Sequence, residues 1–300
     1  MIYFFKIEHF SNQFLTDMKL TRTLAMFFAA TTILTTACSE EEKSNDGIDS
    51  GSNTLPGNVI VWPKDTTVTL TDHFLVDEGQ MLVVEEGATV IAANTEVKPE
   101  IVVLGSMYCL GTEENPVTFT VEASSKGNRF SRNWGGIICG YDCPELVLRH
   151  TVIEYGGALT TGRQMLQEGT GEGVLAVQWC NLDGNMLVQN CVCRNNAEDQ
   201  IYITGGESIV SNNYFICNGE EGGEAINYKS ECKADIAYNL IYDANTNGFK
   251  LSNSGFTNVQ SHLYCYNNTI VNSGWRRPKK KGGAIWLEAG IYAEMETKMI

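Results

Sequence analysis

The 300-residue chain carries 36 acidic against 21 basic side chains, a formal net charge of −15 at pH 7. A hydrophobic content of 43% with 19% charged residues excludes a disordered chain, and 29 glycines against six prolines suit many short strands joined by tight turns. The acidic balance disfavours nucleic-acid binding, which needs a basic surface; the one basic cluster, Arg276 to Lys281, reads as a solvated insertion.

At the amino terminus Lys19 and Arg22 precede an apolar run from Leu24 to Ala37 that is too short to cross a bilayer as a stable helix and reads as a signal peptide. Residues 1–37 form this segment, with Met18 as an alternative start. "LTTAC", ending at Cys38, resembles the lipobox of bacterial lipoproteins, although Thr35 departs from the usual aliphatic residue. The resemblance implies cleavage before Cys38, acylation of that cysteine and a membrane lipid anchor. Cleavage would remove three basic and two acidic side chains, taking the net charge from −15 to −16.

Residues 38–57, from the lipidation cysteine through "SEEEKSNDGIDSGSN", are too polar to bury surface and read as an acidic tether. The "SEEE" stretch resembles export signals of Gram-negative lipoproteins, so the expected location is the outer membrane, on its periplasmic face or the cell surface. Residues 58–300 remain for the folded domain.

The first half of that domain holds the phrases "VEEGATVIA" (Val84 to Ala92), "VVLGSMYCLGTEENPVTFT" (Val102 to Thr120), "NWGGIICG" (Asn133 to Gly140) and "VIEYGGA" (Val152 to Ala158). Gly87, Gly105 and Gly111 suit tight corners, and "GTEENP" makes a turn before the alternating strand Val117, Phe119, Val121. The ten cysteines lack the density of a small stapled domain. Cys265 takes an apolar position and Cys193 aligns with Ile216; Cys139 and Cys143, flanking "GYD", are the only pair close enough in sequence to suggest a local bridge.

The second half repeats. Asn190, Asn213, Asn239 and Asn268 follow one another at 23, 26 and 29 residues, each two positions before an apolar side chain (Val192, Phe215, Ile241, Ile270) and three after a small or apolar one (Leu187, Val210, Ile236, Cys265). After each comes a strictly alternating stretch: "QIYIT" from Gln200, "AINYK" from Ala225, "FKLS" from Phe249 and "AIWLE" from Ala284. No helical periodicity supplies a crossover, so strands of successive repeats must pair in parallel by coiling. The spacing predicts an all-β fold, a parallel β-helix or solenoid of about 22–30 residues per coil. Corner asparagines would then stack at about 4.8 Å as a hydrogen-bonded ladder. The phrase "AEMETKMI" sets Lys298 and Ile300 where another coil would begin, which predicts truncation or a protein cap over the open end.

With these corners, strands and phrases, residues 58–300 resemble the pectin-lyase-like superfamily of right-handed, single-stranded parallel β-helices, in a bacterial lipoprotein version. The resemblance raises a polysaccharide lyase or glycoside hydrolase acting on an acidic glycan, and calcium as a cofactor.

The residues for such chemistry are sparse. His9, His73, His150 and His262 are the only histidines, none in a Gly-His-Gly setting, no Arg-Ile-Lys triplet occurs, and no zinc-type cluster of His or Cys is present. Weak catalytic candidates are His150, with Arg149 and Glu154 beside it, and Lys250. The loop carrying Glu220, Glu221 and Glu224 has oxygen ligands for calcium but no regular Asp-x-Asp pattern, and reads more simply as a solvated loop. A binding surface has more support: Tyr202, Asn227, Lys250 and Trp286 fall at one outward position of the four alternating strands, with Thr204, Lys229, Ser252 and Glu288 beside them. Aromatic faces that pack on sugar rings, next to amides and ammoniums, suit a polysaccharide. The expectation is therefore a surface recognition module for a polysaccharide, with the enzyme and an adhesin or structural protein as alternatives.

Overall fold

A computed structural model describes residues 54–55, 58–126, 132–159, 177–179, 183–197, 199–216, 223–229, 231–252, 259–274 and 282–288. The signal segment, Cys38, Glu220, Glu221, the basic cluster and the residues that would begin another coil lie outside the described residues. The strands form three sheets whose order runs along the chain in steps of three. Sheet 1 holds nine strands: Thr54–Leu55, Val59–Trp62, Met81–Glu85, Ser106–Leu110, Glu145–Arg149, Asn185–Gln189, Glu207–Ser211, Lys233–Ala237 and His262–Tyr266. Sheet 2 holds eight, from Thr67–Leu70 to Thr269–Val271, and sheet 3 another eight, from Phe74–Val76 to Gly283–Glu288.

Each coil visits the three sheets in turn, and every pairing between described strands is parallel except that of Thr54–Leu55 with Val59–Trp62. This is a right-handed parallel β-helix, the hand that right-twisted strands favour. Sheet 1 registers give coil lengths of 22 residues between Asn185 and Glu207, 26 between Glu207 and Lys233, and 29 between Lys233 and His262. Two coils are longer than the predicted 22–30: Met107 to Leu146 takes 39 and Leu146 to Met186 takes 40. Their extra residues fall between sheet 2 and sheet 3, which leaves the strand register intact.

Alternation puts one face of every strand inside the coil. Val90, Phe119, Ile153, Cys193, Phe215 and Ile241 form one continuous inward column on sheet 2, all buried. Ile201 and Ile203, Ile226 and Tyr228, and Phe249 and Leu251 do the same on sheet 3. Removing each such side chain from water contributes about 1.5–3 kcal/mol. Tyr228 brings a hydroxyl into this core and satisfies it on Ser208 Oγ at 2.7 Å. In the last coil the inward Ile285 and Leu287 remain 52% and 41% exposed.

The corner between sheets 1 and 2 explains the asparagines and corrects one of them. The residue after each of the last five sheet 1 strands is left-handed: His150 (φ 44°), Asn190 (56°), Asn212 (58°), Tyr238 (58°) and Asn267 (54°). The next residue enters sheet 2, and there Asn213, Asn239 and Asn268 stack. Asn213 Nδ2 donates to Asn239 Oδ1 at 2.9 Å, and Asn239 Nδ2 to Asn268 Oδ1 at 2.9 Å. Asn190 is not in this column. It occupies the left-handed position one residue earlier, with its amide on His150 Nε2 at 3.1 Å, and Cys191 takes the ladder position, its N–H donating to Asn213 Oδ1 at 2.8 Å. The true repeat here is 22 residues, because asparagine suits both the left-handed residue and the ladder residue. The same slip aligns Val188, not Leu187, with Val210, and Cys193 with Phe215, not Ile216.

The cysteine loop also departs from one reading: Cys139 and Cys143 are both buried and are not joined by a disulfide. Gly105 and Gly111 are needed for close approach, since a Cβ would lie 2.2 Å from the Gln80 carbonyl oxygen and 2.3 Å from that of His150.

Candidate functional site

On the outer face of sheet 3 the register brings Tyr202, Asn227, Lys250 and Trp286 into one column on four consecutive coils. Coiling converts sequence separations into neighbours at about 4.8 Å. Lys250 Nζ lies 4.6 Å from the Trp286 ring centroid, and Lys229 Nζ 5.6 Å from that of Tyr202, both within cation–π range. Lys250 Nζ is also 3.7 Å from Glu288 Oε2, which accepts from Ser252 Oγ at 3.2 Å. The two lysines sit on adjacent coils. Burial, then the charge of Lys250, holds the Lys229 ammonium below its usual range.

A second column stands at the mouth of the same strands; its Glu224 reads in the sequence as part of an acidic loop, and its Asp199 carries no sequence signal. Asp199 Oδ1 accepts the Glu224 N–H at 2.8 Å, Asp199 Oδ2 accepts from Asn227 Nδ2 at 2.7 Å, and Asn247 Nδ2 donates to Glu224 Oε1 at 3.1 Å. The Asp199 and Glu224 side chains also act on each other directly. Burial, then the neighbouring Glu224 charge, pushes the Asp199 carboxyl well above the carboxylate range. Burial opposes ionisation of Glu224, but the Asp199 hydrogen bond, the Lys250 charge and the Asn247 amide outweigh it and hold Glu224 low. Two carboxyls in one buried site disfavour double ionisation, and the pair is displaced in opposite directions, Asp199 up and Glu224 down. Oδ1 of Asn227 and Oδ1 of Asn247 are buried here with no hydrogen-bond partner among the described residues.

The site is thus a lattice of an acid pair, two amides, two ammoniums and two aromatic faces. The signal for its hidden half was a shift of 25 residues: the shift that carries Tyr202 onto Asn227 also carries Asp199 onto Glu224.

The other candidates do not converge on it. Glu154 is buried and accepts from Thr120 Oγ1 at 2.6 Å, Lys126 Nζ at 2.9 Å and Arg194 Nε at 2.8 Å. His150 meets Asn190 at the opposite corner of strand Thr151–Glu154, so Arg149, His150 and Glu154 form no common centre. Glu224 belongs to the acid pair, and among the described residues no group of three His, Cys, Asp or Glu is placed to hold a metal ion.

Comparison with known families bears on the fold of the first coils. Residues 54–145 match the pectate-lyase-like beta helix domain. No curated protein and no solved structure matches the chain. The match to this domain supports a carbohydrate-related β-helix. It ends before the coils that carry Asp199 to Trp286, so the chemistry of that strip rests on its own geometry.

Proposed function

We propose that this β-helix is a lipid-anchored recognition module of the outer membrane, tethered through Cys38, that binds an acidic polysaccharide along the outer face of sheet 3. The observation that carries the reading is the column Tyr202, Asn227, Lys250, Trp286 with Lys229 beside it. Aromatic faces stack on sugar rings, the ammoniums pair with uronate carboxylates, and the coil repeat presents them at regular intervals to an extended polymer. Titrating the protein with polygalacturonate and a neutral polymer of similar length tests it. Trp286→Ala and Lys250→Ala should each weaken polygalacturonate binding by about tenfold, an energy of about 1.4 kcal/mol. Equal affinity for the neutral polymer, or unchanged binding by both variants, would overturn the reading. Radiolabelled palmitate incorporation lost in Cys38→Ser tests the anchor.

The acid pair favours one second reading, a polysaccharide lyase or hydrolase. Glu224 with its carboxyl held low, Asp199 with its carboxyl pushed up and Lys229 with its ammonium held low are groups suited to moving a proton to and from a sugar. Appearance of ultraviolet absorbance from unsaturated uronates, lost in Lys229→Gln, would support the lyase; new reducing ends without that absorbance, lost in Glu224→Gln, would support hydrolysis.

A further inference from the structure

The outer face of sheet 1 carries a different group of residues on its last two described coils. Asp235 on Lys233–Ala237 pairs in register with Tyr264 on His262–Tyr266, and Ala237 with Tyr266. Tyr238, in the left-handed corner beyond Ala237, sets its ring at 83° to that of Tyr266 with centroids 6.1 Å apart. The three rings stay open to solvent, Tyr264 at 65% and Tyr266 at 43%, while small Ala237 leaves the floor between them low.

Asp235 is half-buried among them and has no hydrogen bond or ion pair among the described residues. Lys233, two positions before it, is engaged with Glu207 at 3.1 Å, and His262 stands over Lys233 rather than over Asp235. Burial alone pushes the Asp235 carboxyl up, with nothing nearby to offset it. A carboxylate partly removed from water without a partner costs free energy, and tyrosine faces add electron-rich surface to the same spot.

We propose that Asp235, Tyr238, Tyr264 and Tyr266 form a binding site for a small organic cation, an alkylated ammonium group. Such a group is weakly hydrated, gains from ring faces set at right angles, and neutralises the carboxylate beneath them. A neutral sugar would use the rings but leave the charge unpaired. A compact metal ion would need several more oxygen ligands than one carboxylate supplies. The site lies on a different sheet from the lysine-bearing strip and has the opposite charge preference.

The test uses the full chain with choline chloride and its neutral isostere 3,3-dimethylbutan-1-ol, read by saturation-transfer NMR on the methyl protons and by calorimetry. Choline should bind saturably and the isostere at least about tenfold more weakly, with Asp235→Asn removing that preference. Tyr264→Ala should weaken choline binding by a similar factor, Tyr264→Phe should retain it, and Lys250→Ala should leave it unchanged. Equal binding of choline and the isostere, or choline binding untouched by both Asp235→Asn and Tyr264→Ala, would overturn the proposal. Asp235→Asn and Tyr264→Phe alter only outward groups, so the comparison holds even if Tyr264→Ala does not fold.

Discussion

Asn239 Oδ1 accepts from both nitrogens of Asn213, the backbone N–H at 3.1 Å and the side-chain amide at 2.9 Å. Its own amide donates to the Val210 carbonyl at 2.9 Å and to Asn268 Oδ1, so one side chain closes four bonds across three coils. Asn239→Ala strands buried donors and an acceptor, and each costs about 1–3 kcal/mol. A loss of about 2–4 kcal/mol is expected in urea unfolding, against less than about 1 kcal/mol for Asn190→Gly, which keeps the left-handed corner and gives up the amide contact with His150. Equal losses in the two variants would contradict the ladder as described.

Stability should carry the signature of the acid pair. The Asp199 carboxyl is raised above its ordinary value of 3.8, so its contribution is full below that pH and is lost as pH rises through the raised folded value. Glu224 is lowered from 4.5, so its contribution is present above that pH and is lost as pH falls through the lowered value. Asp199→Asn keeps the uncharged form at every pH. Melting temperatures measured from pH 3.8 upward should show the wild type losing ground to Asp199→Asn as pH rises through the raised value. Parallel curves would mean that Asp199 is not protonated in the fold.

The buried Glu154 carboxylate is shared by one hydroxyl and two cations. Glu154→Gln should cost about 1–3 kcal/mol, whereas Lys126→Ala should cost less than about 1 kcal/mol because that ammonium is partly solvated. Burial works against ionisation of Glu154, but the Thr120, Lys126 and Arg194 bonds hold it below 4.5. Its contribution is therefore present above pH 4.5 and is lost as pH falls through the lowered value. Denaturant midpoints at neutral and acidic pH, compared between wild type and Glu154→Gln, check both statements.

The core thiols should be inert until the coil opens. Cys109, Cys191, Cys193 and Cys232 are buried thiols outside any disulfide, and burial pushes the Cys191 thiol up to about 12. Iodoacetamide applied to the native protein should leave these four unmodified, and the same treatment in urea should alkylate all of them. Mass spectrometry of the peptides reads the difference; rapid native labelling of Cys193 would mean that the coil is open there.

The coil itself was legible in the chain because a solenoid writes its third dimension as a period. Phe215, Ile241 and Ile270 recur at the spacing at which they stack, and so do Tyr202 and Asn227. Register at single-residue precision was not legible at Asn190, since asparagine is equally suited to a left-handed corner and to the ladder beside it; only the pairing of Cys191 with Asn213 separated the two. The acid pair lay further from view. Asp199 carries no mark in the sequence and Glu224 reads there as part of an acidic loop; the opposite shifts of the two carboxyls arise from burial, from each other and from the Lys250 charge, which act only once three coils have closed. Periodic burial is a property of the sequence, whereas the charge state of a carboxyl depends on what packs around it, and that is decided by the tertiary structure.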